Sequence, residues 1–125
     1  MRALGDLEAR VMRAIWARGQ PVTVRDIVGD LQHDRPVAYT TVMTVMGNLC
    51  RKGWLDRHAD GRAYRYQPLV SAEDYSAGMM RQALAASNDR AAALMHFIGD
   101  LSAEEAKALE EAYQRLTGTS PRGRR

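Results

Sequence analysis

Apolar residues in the first half of the chain recur in short, clearly punctuated rhythms. Leu7, Val11, Ala14 and Ile15 keep the three-and-four spacing of a helix buried on one face, with Asp6 as candidate N-cap and Gly19-Gln20-Pro21 as its stop. Thr23 can cap a second helix whose stripe is Val24, Ile27, Val28 and Leu31, with Asp26 well placed in the first turn and Asp34-Arg35-Pro36 beyond the end. A third helix is expected from Tyr39 to Lys52, closed by Gly53 in the left-handed conformation. Two strand-like runs follow, Trp54–His58 and Arg62–Tyr66, around a turn at Asp60-Gly61, with Pro68 ending the unit.

Helix, helix, helix and hairpin is the order of a winged helix-turn-helix, in which the third helix enters the major groove and the hairpin is the wing. The fold class expected is therefore mainly α with a small β-hairpin. Residues 1–69 form the winged-helix domain, 70–117 a helical dimerisation region and 118–125 a flexible basic tail. In the helical region the pattern predicts helices from Ser71 to Ala86, from Arg90 to Ile98, and after a capping box at Ser102-Ala103-Glu104-Glu105. Their apolar positions include Tyr75, Met79, Ala83, Leu94, Phe97, Ile98, Leu109, Tyr113 and Leu116. So short a unit rarely supports itself, and pairing with a second copy would bury these stripes. Those nine residues are the candidate dimerisation surface.

The third helix carries the most informative face. On a helical wheel Val42, Val45, Met46 and Leu49 fall within an arc of about 100°, the core side. Thr40, Thr41, Thr44, Gly47, Asn48 and Arg51 lie opposite, within about 120°. A merely solvated face favours Glu and Lys, and threonine is a poorer helix former. Hydroxyls and amides, however, hydrogen-bond base edges and phosphates, and Gly47 allows close approach to a groove. No Asp or Glu occurs from Val37 to Leu55, which suits contact with phosphates. The candidate DNA-binding residues are Tyr39, Thr40, Thr41, Thr44, Asn48, Arg51 and Lys52, with Arg62 and Arg65 of the wing. The wing tyrosines, Tyr64 and Tyr66, are expected to be mainly structural.

Charge adds a modest bias. The chain of 125 residues has a formal net charge of +3. Residues 1–68 hold 11 Lys and Arg against 7 Asp and Glu, and residues 69–125 hold 7 against 8, so a polyanion would meet the N-terminal part. The first six residues lack the apolar core of a signal peptide and no run of about 18 apolar residues occurs, so a cytoplasmic protein without direct membrane binding is expected.

Other chemistries find little purchase. The single cysteine, Cys50, forms no internal disulfide and no zinc-binding pair, and its place at the edge of a core face suits packing. His33, His58 and His96 keep no metal-ligand spacing, and no phosphate-cradling glycine loop occurs. No catalytic residue, metal or cofactor is expected.

Several segments together resemble the penicillinase-repressor family, BlaI, MecI and CopY. They are Leu4-Gly5-Asp6-Leu7-Glu8, Val11-Met12, Ile15-Trp16, the run Ala38 to Leu49 with its Tyr-Thr-Thr-Val start, Arg51 to Leu55, and Asp60 to Tyr66. The similarity covers about residues 4–117. It implies a homodimer with an N-terminal winged helix, binding a two-fold symmetric operator that overlaps a promoter. It also implies that Thr40, Thr41, Thr44 and Asn48 face the groove. In the beta-lactam branch a membrane sensor protease triggers cutting of the dimerisation region at an Asn-Phe pair. The matching bond here is His96-Phe97, the candidate inactivating cleavage site. In the copper branch a C-terminal cysteine cluster binds metal, and this chain has no cysteine after Cys50.

The expected function is a homodimeric, sequence-specific transcriptional repressor, not an enzyme, whose target genes include beta-lactam resistance or related genes. The alternative is a winged helix serving protein contacts without DNA, against which the acid-free third helix argues. A small enzyme has no supporting constellation.

Overall fold

The computed structural model describes residues 3–118. The chain divides into two compact units, with the division after Gly78.

In the first unit α1 spans Asp6–Arg18, α2 Val24–Leu31 and α3 Tyr39–Arg51. The first cap differs from expectation. Gly5 is the N-cap and Asp6 is already helical, because the Glu8 carboxylate reaches back to accept the Gly5 N–H at 2.9 Å. Asp6 and Glu8 then both lie in the first turn, where negative charge is favoured. Gly19 ends α1 at φ 68°. Thr23 caps α2 as expected, and Asp26 adds the reciprocal half of a box: the hydroxyl accepts the Asp26 N–H at 3.1 Å and the carboxylate accepts the Thr23 N–H at 2.9 Å.

Each helix contributes one stripe to a single core. Val11, Met12 and Ile15 come from α1, Val24, Ile27 and Leu31 from α2, and Val42, Val45, Met46 and Leu49 from α3. Val22, Trp54, Leu55 and Tyr66 complete it, while Val28 sits half-buried at its margin. The α3 core residues are those of the predicted arc.

Strands β1 (Leu55–Asp60) and β2 (Ala63–Pro68) pair antiparallel from Leu55 opposite Pro68 to Asp60 opposite Ala63. The turn is therefore Gly61-Arg62, one residue later than Asp60-Gly61. Gly61 at φ 66° takes the first central position, the glycine place of a II′ turn. Val22 pairs with Tyr66 through reciprocal backbone bonds of 2.9 and 2.7 Å, so the segment between α1 and α2 grips the wing's base.

Helix α4 spans Ala72–Ala85. Its first turn belongs to the same unit: the Tyr75 ring lies 5.6 Å from Trp16 and 5.6 Å from Trp54, centroid to centroid. The Trp16 indole N–H donates to the Val70 carbonyl at 2.8 Å, fixing the approach to α4. Tyr75 is a partly buried residue packed against the N-terminal core.

The second unit contains the rest of α4, α5 (Arg90–Gly99) and α6 (Ala103–Thr117). Asp89 caps α5 and the Ser102–Glu105 box caps α6. Neither helix buries any residue. Among the described residues no helix is long and apolar enough to cross a membrane. The basic tail expected over 118–125 lies, beyond Gly118, outside the described residues.

Candidate nucleic-acid interface

Helix α3 is held by its inner face and free on its outer one. Thr40, Thr41, Thr44 and Arg51 are exposed, and Gly47 and Asn48 are half-buried. Tyr39, 46% exposed, opens the helix. The Arg51 guanidinium donates to the Asn48 side-chain carbonyl, so two of the face's longer polar groups are already aligned with each other. Ala38, the N-cap, offers no side-chain acceptor, unlike Thr23, Asp89 and Ser102 at the starts of α2, α5 and α6. First-turn N–H groups and the positive end of the helix dipole thus remain available to an anion.

The other cations differ in how far they are engaged. Lys52 caps the C-terminal end of α3, and its ammonium is bound at 2.7 Å by Glu8 of α1. It braces α3 against α1. That contact holds the Glu8 carboxyl below the ordinary glutamate range, with help from the Gly5 N–H. On the wing Arg65 is paired with Asp60 at 2.6 Å, an exposed bridge that costs little to open. Arg62 occupies the turn, exposed and without an ion pair among the described residues.

Two wing features went unseen in the sequence. The Arg57 guanidinium stacks over the Tyr64 ring, 4.2 Å from its centroid. The two tyrosines also part company: Tyr66 is core at 3% exposure, whereas Tyr64 is 45% exposed. Residues two apart share a strand face, so what separates them is position along the wing: Tyr66 lies at its base, paired with Val22, and Tyr64 nearer the tip, opposite Ala59. Met43 was also passed over. It is 45% exposed beside the threonines of α3.

Cys50 is half-buried against the core, and burial pushes its thiol above the ordinary range, away from reactive thiolate. Among the described residues no cluster of three metal-ligating side chains occurs.

In the second unit Met79, Leu94, Phe97, Ile98, Leu109 and Tyr113 are all between 44% and 53% exposed, Leu116 is 85% exposed, and Ala83 is exposed too. Met80 and Met95, 56% and 73% exposed, extend this apolar surface. The His96–Phe97 bond lies in the last turn of α5, and both carbonyls accept the Asp100 N–H. A protease could therefore reach it only after that turn unwinds.

Comparison with known proteins bears on this arrangement. A protein-family model described as "Penicillinase repressor" matches residues 4–115. The chain is 44% identical over 116 residues to the transcriptional regulator BlaI of Mycobacterium tuberculosis, covering 90% of this chain and 84% of that protein. Its fold is similar to the solution structure of the DNA-binding domain of the repressor BlaI, with a TM-score of 0.52, 27% identity, and coverage of 60% of this chain and 94% of that one. It is also similar to monomeric Bacillus licheniformis BlaI in complex with the blaP half-operator, with a TM-score of 0.50, 27% identity, and coverage of 59% and 89%.

Proposed function

The chain belongs to the penicillinase-repressor family, and from that premise we propose that it is a DNA-binding transcriptional repressor that works as a homodimer on a two-fold symmetric operator. The family is one of transcriptional regulators, not of enzymes. The observation that carries the proposal is the outer face of α3: three exposed threonines, an amide and an arginine on a helix with no acidic residue, anchored from behind by four core side chains.

In this reading Thr40, Thr41, Thr44 and Asn48 meet base edges, and Tyr39, Arg51 and Arg62 meet the backbone. Arg65 joins them when its exposed bridge to Asp60 opens. Lys52 positions α3 through Glu8. The solved complex of Bacillus licheniformis BlaI with a half-operator supports a duplex as the ligand.

The second unit supports the dimer. Helices that bury nothing by themselves and expose Leu94, Phe97, Ile98, Leu109, Tyr113 and Leu116 gain stability by covering those residues. A second copy is the proposed cover, and a two-fold dimer reading successive major grooves needs its two α3 helices about 34 Å apart, one turn of the duplex. Occupying such a site over a promoter excludes polymerase. Genes of beta-lactam resistance are the proposed targets by family membership, and a sensor protease acting near His96-Phe97 the proposed release. Sedimentation of the purified chain tests the assembly. The wild type is expected as a dimer and Phe97→Asp as a folded monomer with weakened operator binding. A wild-type monomer that binds operator at full strength would refute the dimer.

A further inference from the structure

Gly47 is a costly choice that the fold itself does not explain. It sits in the interior of α3, where glycine is a poorer helix residue than alanine. Its backbone needs no positive φ. A Cβ built there would meet only the tip of Arg51, at 3.9 Å. Among the described residues nothing requires the missing side chain, which leaves open space on the outer face of α3.

The neighbours say what that space suits. Residues three and four positions earlier on a helix flank a given position, and at Gly47 these are Thr44 and Met43. Met43 leaves its thioether 45% exposed among groups that otherwise hydrogen-bond. Gly47, with no side chain of its own, therefore leaves a gap on the outer face beside the exposed Met43 and Thr44. Among the major-groove groups that tell the base pairs apart, the one apolar group is the C5-methyl of thymine. Resting on the DNA-reading role above, we propose that Met43, Thr44 and Gly47 seat a thymine methyl, so that each operator half-site carries an obligatory thymine facing this gap. Gly47 provides depth, and Met43 provides the apolar contact that distinguishes thymine from cytosine at its C5 edge.

The test uses the duplex that the full chain selects from random sequence, with each thymine replaced in turn by deoxyuridine, which removes only the methyl group. One position per half-site is expected to lose affinity about four-fold, and both together about fifteen-fold, from the transfer free energy of one buried methyl. In Met43→Ala the same replacement is expected to cost nothing further. Gly47→Ala is expected to melt a few degrees higher, about 2–5 °C, while binding the selected duplex at least five-fold more weakly. Tolerance of deoxyuridine at every position overturns the seat while leaving DNA reading intact. So does an equal penalty in wild type and Met43→Ala, or unchanged affinity in Gly47→Ala. If the wild type distinguishes no duplex from any other, the DNA-reading role itself fails.

Discussion

Thr44→Ala separates base reading from folding more cleanly than any other single change. Thr44 stands in the middle of the outer face of α3, exposed, its side chain without a hydrogen-bond partner among the described residues. Its loss removes no contact that holds the fold. Alanine is the better helix former, by at most about 0.7 kcal/mol, so the unfolding free energy should stay level or rise by a few tenths. Binding should move the other way. One hydroxyl contact to a base edge sits near the lower end of the about 1–3 kcal/mol assigned to good base contacts. A dimer loses it twice, about 2 kcal/mol in all, which is about a 30-fold weaker complex. Threonine carries no charge, so non-specific affinity and its salt dependence should not change. Fluorescence anisotropy with the selected duplex and with an unrelated one, at one salt concentration, reads both quantities. Equal losses on the two duplexes would remove Thr44 from base recognition. A loss of thermal stability would show that α3 packs differently from the structure described here.

Other perturbations probe the rest of the arrangement. Leu49→Ala deletes a fully buried side chain behind the reading face and should destabilise the fold by about 2–5 kcal/mol, seen as a large fall in melting temperature at fixed protomer concentration; a loss below about 1 kcal/mol would contradict the core assignment. Arg62→Ala should weaken binding to all duplexes alike and lower the salt slope by about 1 per protomer; a loss confined to the selected duplex would make Arg62 a base reader instead. Glu8→Gln should lower stability at neutral pH by about 1 kcal/mol, since it weakens the hydrogen bond to Lys52. Because the Glu8 carboxyl is depressed in the folded state, its contribution is present above the ordinary glutamate range and is lost as pH falls through the folded value. The gap between wild type and Glu8→Gln in denaturant melts should therefore close under acid, and a gap that widens would refute the ion pair.

The parts of this protein that were legible in its sequence are those governed by local rules. The α3 wheel foretold Val42, Val45, Met46 and Leu49 as its buried residues, because a regular helix fixes which positions share a face. Thr23 with Asp26, and Ser102 with Glu105, were readable as caps for the same reason: both partners lie three residues apart. Contacts between distant segments were not legible. Nothing in the spacing of Trp16, Trp54 and Tyr75 says that their rings meet, so Tyr75 read as one more apolar residue of a later helix. Lys52 read as a free cation because Glu8 is 44 positions away. The wing turn slipped by one residue because Asp60 is equally acceptable as a turn residue or as the last residue of a strand. Only the pairing of Asp60 with Ala63 decides between them.

Selection of binding sites from random duplex DNA, with the purified full chain at near-physiological salt, tests the central claim most directly. The account predicts a two-fold symmetric motif whose half-sites lie about one helical turn apart, recovered by the wild type and lost with Thr44→Ala. Recovery of no motif, from protein shown to be folded and dimeric, would contradict it and assign the winged helix to protein contacts.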